Sequence, residues 1–335
     1  RLDIESGQVR LPGAVLDRNV LQPQFNSDGS ALYFRIEDSA QVHLGRLDWA
    51  SNIIDRPLAQ RATISDFTVH DTQGAAVVMS DDTSPPEIYR LNKDGGNKLR
   101  PLMLTALNQT WREGKSIAAT ETFSVETGDG WTIEALASFP PTYNPRRTYP
   151  AIFLLHGGPL AQHEHLFDLE TQWLATNGYV VIRPNPRGSS GYGQEFALGL
   201  HQGWGEKDYR DILAIADEAV RRGWADPDRL GVGGYSYGGI LTNYILGQTS
   251  RFKAAVSGAG SGLYIASCGH DEYQRWYEEE LGLPWENREL WERLSPFNHI
   301  HKATTPTLFM GGALDWNVPI QGSEQLYQVM KRQGI

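Results

Sequence analysis

The residues best suited to chemistry sit in one pentapeptide, Gly234-Tyr235-Ser236-Tyr237-Gly238. It follows the apolar run Leu230-Gly231-Val232-Gly233 and opens the helical pattern Ile240 to Leu246. Strand, sharp turn and helix form the setting in which small flanking residues let the backbone turn tightly and expose a serine oxygen. G-x-S-x-G alone is a weak signal, and this context is what strengthens it. A serine hydroxyl attacks a carbonyl only when a base takes its proton, and the oxyanion that results needs preorganised donors. The N–H of Tyr237, the residue after the serine, is one such donor. His156-Gly157-Gly158-Pro159 follows a second apolar run, 151–155, where its glycines allow close approach to a substrate. His156 reads as shaping that loop rather than as the base. Asp315 lies in Gly311-Gly312-Ala313-Leu314-Asp315-Trp316-Asn317-Val318-Pro319, beyond the run Thr307 to Met310, and is well placed to orient a histidine. Together these residues point to acyl transfer.

The elements that must position them alternate between strand and helix from about residue 116 onward. Ala151–Leu155, Tyr179–Ile182 (ended by Pro184), Leu230–Gly233, Ala254–Ser257 and Thr307–Met310 read as strands buried on both faces. Tyr209, Ile212, Leu213, Ala216 and Val220 mark an amphipathic helix over Lys207–Arg222. Such βα units predict an open, mostly parallel sheet flanked by helices. Before residue 116 the pattern is strands and turns. Asn26-Ser27-Asp28-Gly29 precedes one strand and Asp71-Thr72-Gln73-Gly74 another, and Val42-His43-Leu44 has its counterpart in Glu87-Ile88-Tyr89. Both correspondences are 45 positions apart. A multi-strand repeat of that period marks propeller blades, of which about two fit here, and the alternative reading is a generic antiparallel sheet.

Forty acidic against 30 basic residues leave the chain at −10. A chain this acidic is a poor candidate for tracking a nucleic-acid backbone, which needs clustered positive charge. The apolar runs are too short for a membrane span. One cysteine, Cys268, permits neither an intrachain disulfide nor a cysteine metal cluster. His163 and His165 lack a third ligand at zinc-like spacing, so an exposed loop is expected there and no metal site.

Gly234-Tyr235-Ser236-Tyr237-Gly238-Gly239, His156-Gly157-Gly158-Pro159, Asn185-Pro186-Arg187-Gly188-Ser189-Ser190-Gly191-Tyr192-Gly193 and Leu314-Asp315-Trp316-Asn317-Val318-Pro319 together resemble the prolyl oligopeptidase family of serine peptidases, nearest its acylaminoacyl-peptidase and dipeptidyl-peptidase-like members. The resemblance covers residues from about 120 to 335. It implies an α/β-hydrolase fold over 116–335, preceded over 1–115 by the last blades of a β-propeller. It also implies Ser236 as nucleophile, Asp315 as triad acid and Gly158 with Tyr237 as oxyanion donors. Asn317 matches the position that holds the substrate backbone. Many members carry Arg there, and Asn is similar to the dipeptidyl-peptidase branch. Tyr273 and Trp276, in the aromatic-rich segment Tyr264 to Trp285, become candidates for the pocket of the residue before the scissile bond. The implied substrate is a short peptide, with no metal or organic cofactor, and a homo-oligomer stays open.

The pattern departs from the family at one point. The fold runs its triad in the order Ser, Asp, His, yet none of the nine histidines follows Asp315. The histidine is therefore expected beyond Ile335, and the chain is read as a fragment lacking also the early blades. His270, His299 and His301 are weaker substitutes, because topology sets where each triad loop emerges. Two rival readings stand: a carboxylesterase-type hydrolase on the same scaffold, and an inactive fragment or non-enzymatic scaffold.

Overall fold

The 45-position offset recurs in the strands of the computed structural model, which describes residues 3–9, 11–58, 60–70, 74–93 and 99–335. In the first of its two units (1–116, with 164–169 and 190–195), the strands are β1 (Asn19–Phe25), β2 (Ala31–Glu37), β3 (Val42–Asp48), β4 (Ile54–Leu58), β5 (Thr63–His70), β6 (Gly74–Asp81), β7 (Ser84–Lys93) and β8 (Leu99–Met103). Moving the first residue of each of the first four by 45 positions lands in the corresponding member of the second four. Each four pairs antiparallel in sequence order. One parallel residue pair, Val42 with Thr63, joins them. The turn before β2 is set by Asn26, whose side-chain oxygen accepts the Ala31 N–H at 2.9 Å. The equivalent turn residues Asp71-Thr72-Gln73 lie outside the described residues. Alternate side chains of the strands, among them Leu44, Ile64, Val77 and Leu91, meet in one apolar cluster, as the two-residue strand period requires.

The second unit (117–163, 170–189 and 196–335) is built on β9 (Ala119–Glu126), β10 (Thr132–Phe139), β11 (Tyr149–Leu155), β12 (Val180–Asn185), β13 (Ala225–Tyr235), β14 (Ala254–Gly258) and β15 (Thr307–Met310). Their order across the sheet is β15-β14-β13-β11-β12-β10-β9. The five central and edge strands β12, β11, β13, β14 and β15 run parallel, while β9 and β10 are antiparallel. Leu155 is in register with Gly234, Tyr235 with Gly258, and Gly258 with Met310. The loops after β11, β13 and β15 therefore leave from one carboxyl edge, the edge where open α/β sheets hold their ligands.

Three details differ from the sequence reading. β12 is buried throughout but runs on to Asn185, through Pro184. Its pairing with β11 ends at Ile182, so from Arg183 onward it pairs only with β10, and a proline is tolerated where one side of the ladder is free. β14 and β15 alternate rather than being buried on both faces: Val256, Leu308 and Met310 are exposed. β15 comes last in the sheet order of the described residues. The helix Asp208–Arg221 buries Asp208, Asp211, Ile212, Ile215, Ala216 and Ala219, a face rotated from the expected one because two aspartates lie within it. Among the described residues no helix is long and apolar enough to cross a membrane.

Asp211 is fully buried and takes the Arg187 guanidinium in a fork, with Nη2 at 2.7 Å from Oδ1 and Nε at 3.0 Å from Oδ2. The Arg187 backbone N–H adds a third bond at 2.9 Å. Burial pushes the Asp211 carboxyl up and the arginine works against that shift. Arg187 also meets Asp129, whose side chain is half exposed. Removing one partner of a buried pair strands the other charge, whereas an exposed partner is screened by water. Asp211→Ala should lower unfolding free energy in urea by about 3–5 kcal/mol, and Asp129→Ala by no more than about 1 kcal/mol. Equal costs for the two variants would contradict this division.

Candidate active site

Ser236 stands between β13 and the helix Tyr237–Leu246 with φ 58° and ψ −123°. L-residues rarely hold such a backbone, which costs on the order of 1–3 kcal/mol. It is stabilised by the Ser236 N–H donating to Gly258 O at 2.9 Å and by Ile240 N–H donating to Ser236 O at 3.0 Å. Gly234 and Gly238 are required by one atom: a Cβ at either would run into the Leu155 carbonyl oxygen. The sharp turn thus depends on the elbow lying directly against the end of β11.

The loop after β11 lies close beside the serine, since a methyl on Gly157 would stand 3.4 Å from Ser236 Cβ. Gly158, Ser236, Tyr237, Asn317, Tyr273 and Trp276 all line one small cavity. The structure thus brings together six of the seven residues singled out from sequence. Tyr237 begins a helix, so its backbone N–H has no partner within that helix and is available to an anion. The Trp276 ring stacks on Trp204 at 4.4 Å and meets Tyr273 edge-on at 5.6 Å. Ile240, Val318, Ser261, Ser267, Asp271 and Tyr277 complete the lining. Sequence reasoning did not single these out, because polar and aliphatic residues scattered over four segments share no spacing.

Asp315, the seventh, lies in the loop after β15 and is not among the cavity residues. Its Oδ1 accepts the N–H groups of Asn317 at 2.9 Å and Val318 at 2.8 Å, which holds that loop in shape. Among the described residues no histidine hydrogen-bonds to Asp315 or Ser236. His270 stacks on Trp316 at 5.6 Å, and His299 meets the Arg293 carbonyl at 2.7 Å. His156 is half-buried, with Nδ1 2.7 Å from Gly157 O and Nε2 3.0 Å from Ser189 Oγ, and desolvation lowers its pKa. The expected exposed loop at His163 and His165 is not observed. His163 donates to Leu154 O at 2.9 Å, and its pKa is held well below the usual value, first by burial and then by His156 and Arg183. His165 is buried against the Asp82 carboxylate at 2.7 Å. Each ring is committed to protein groups, and no group of three metal-ligating side chains is found among the described residues.

A family model described as the prolyl oligopeptidase family matches residues 165–335, just over half of the chain. The chain belongs to the prolyl oligopeptidase family. An uncharacterized peptidase, YuxL, of Bacillus subtilis is 36% identical over 254 residues, covering 75% of this chain and 38% of that protein. Dipeptidyl-peptidase 5 of Porphyromonas gingivalis is 25% identical over 341 residues, covering 99% of this chain and 49% of its own length. The solved structure of Pyrococcus horikoshii acylaminoacyl peptidase superposes with a TM-score of 0.87 at 27% identity, over 98% of this chain and 52% of that one. The chain therefore spans about half, or less, of these relatives. Its fold class is that of the family: an α/β-hydrolase fold preceded by β-propeller blades.

One residue of this prolyl oligopeptidase family chain acts on the elbow from outside the cavity. Asp208 is fully buried and accepts the Tyr237 phenol at 2.6 Å. Its carboxyl is raised from 3.8 to about 7; burial drives the shift and Asp211 adds to it, while the Tyr237 hydrogen bond opposes it. The sequence signal for it was present, since Asp208 and Asp211 fall in phase with the apolar stripe of their helix. Between pH 4 and 7 the folded carboxyl keeps a proton that the unfolded chain has released, so this group's contribution to stability falls as pH rises and levels off above about 7. Asp208→Asn keeps an acceptor for the phenol but cannot titrate. The stability of wild type relative to Asp208→Asn, measured by urea unfolding, should fall by on the order of 3–4 kcal/mol from pH 4 to pH 8. A difference that stays constant over that range would disprove the assignment.

Proposed function

We propose that this chain is the catalytic part of a serine peptidase that hydrolyses short peptides through an acyl-enzyme on Ser236. The observation that carries the proposal is the strained serine at the carboxyl edge of the sheet, opening into a cavity shared with Gly158, Tyr237 and Asn317. Ser236 Oγ attacks the scissile carbonyl. The N–H groups of Tyr237 and Gly158 take the oxyanion, which is where most of the rate enhancement in such sites arises. Asp315 orients a histidine supplied from outside residues 1–335. That histidine accepts the serine proton and passes it to the departing amine, and water then releases the acyl group. Asn317 holds the substrate backbone, and Tyr273 with Trp276 receives the side chain on the acyl side of the bond. Relatives named as dipeptidyl-peptidases and an acylaminoacyl peptidase favour attack near the amino end of a peptide. No step calls for a metal or organic cofactor.

A fluorophosphonate probe tests the nucleophile and the source of the base together. The full-length protein should label at Ser236 and lose labelling in Ser236→Ala. The isolated 1–335 chain should label slower by a factor on the order of 10³ or more, as for loss of a triad member. Rapid labelling of the isolated chain would place the base within it. Labelling that survives Ser236→Ala would remove Ser236 as the nucleophile.

A further inference from the structure

The cavity beside Ser236 carries one formal charge along its lining, the carboxylate of Asp271, and neither lysine nor arginine lines it. Asp271 is about nine-tenths buried. Its Oδ1 is occupied by the turn that starts helix Gln274–Leu281, accepting the Tyr273 N–H at 2.9 Å and the Gln274 amide at 3.0 Å. Its Oδ2 accepts one bond, from the Tyr277 phenol at 3.0 Å. A carboxylate oxygen has two lone pairs, so Oδ2 has room for another donor. Among the described residues no cationic side chain pairs with Asp271. Tyr273, Trp276 and Tyr277 add aromatic faces, which attract cations in their own right. A buried carboxylate without a counter-ion, walled by aromatic rings, is an environment that a cation relieves.

We infer that this cavity is a subsite for a cationic side chain, lysine or arginine, on the residue whose carbonyl Ser236 attacks. Asp271 Oδ2 takes the ammonium or guanidinium, and Trp276, backed by Trp204, packs along the aliphatic stem or the guanidinium plane. The same carboxylate repels a substrate carrying aspartate or glutamate at this position. The assignment to the acyl side of the bond rests on the peptidase reading of Ser236, whereas the cation site itself does not.

Equilibrium binding separates the two, because it requires no turnover. Benzamidine and its neutral counterpart benzamide would be titrated into the 1–335 chain by calorimetry. Benzamidine should bind more tightly by roughly tenfold or more, as expected for a charge-assisted hydrogen bond in a buried site. Asp271→Asn should bring the two affinities together, and Trp276→Ala should weaken benzamidine severalfold while leaving the carboxylate in place. If Asp271→Asn fails to fold, the wild-type ratio and Trp276→Ala still decide. Equal binding of the two probes to wild type, or a preference unchanged in a folded variant, would overturn the subsite. Loss of the peptidase reading would leave the benzamidine preference intact, so the two failures are distinguishable.

Discussion

Two buried aspartates on one helical turn hold the carboxyl edge of the sheet together around Ser236. Asp211 takes Arg187 and with it the loop after β12, and Ser189 of that loop meets His156 behind the Gly157-Gly158 turn. Three residues earlier, Asp208 takes the phenol of Tyr237, the first residue of the helix that follows the serine. The two sides of the proposed oxyanion hole are therefore fixed to a common support. Neither aspartate needs to touch a substrate for this to matter, since a misplacement of about 1 Å at reacting atoms can cost two orders of magnitude in rate. The support carries a thermodynamic cost of its own, because two carboxyls three residues apart are taken out of water and only Asp211 has a cation beside it.

The strain at Ser236 follows from the same packing. The backbone is held at φ 58° because the chain must leave β13 and enter its helix within one residue, with Leu155 O closing the space on one side. Interactions of the rigid surroundings, chiefly the bond to Gly258 O, hold a conformation that an isolated peptide would abandon. The serine is presented at the rim of a cavity by backbone geometry, before any base is considered.

Much of this was legible in the residues. The elbow, the glycine loop after β11 and the acidic loop after β15 announce themselves because tight turns restrict residue type and because buried parallel strands are continuously apolar. The 45-position repeat was equally readable, since each blade repeats the same turn and strand chemistry. What escaped were features set by tertiary context. Pro184 sits inside a strand because one side of β12 has no partner there, which no local pattern records. Leu308 and Met310 face outward although their sequence resembles a core strand, since burial of a sheet face depends on what packs over it and not on the strand's own residues. Asp208 and Asp211 fall in phase with the apolar positions of their helix, yet only their partners Tyr237 and Arg187 explain their burial. Asp271 was passed over for a similar reason: its place in the cavity depends on a short segment folding back toward Ser236.

The single residue pair between β3 and β5 has an evolutionary implication. Nearly every backbone bond of each four-stranded unit is closed within that unit, so a unit can be duplicated, lost or exchanged without breaking the ladders of its neighbour. Divergence along such an array is then free to act on whole modules, while the hydrolase portion, whose loops converge from separated strands onto one serine, must change residue by residue.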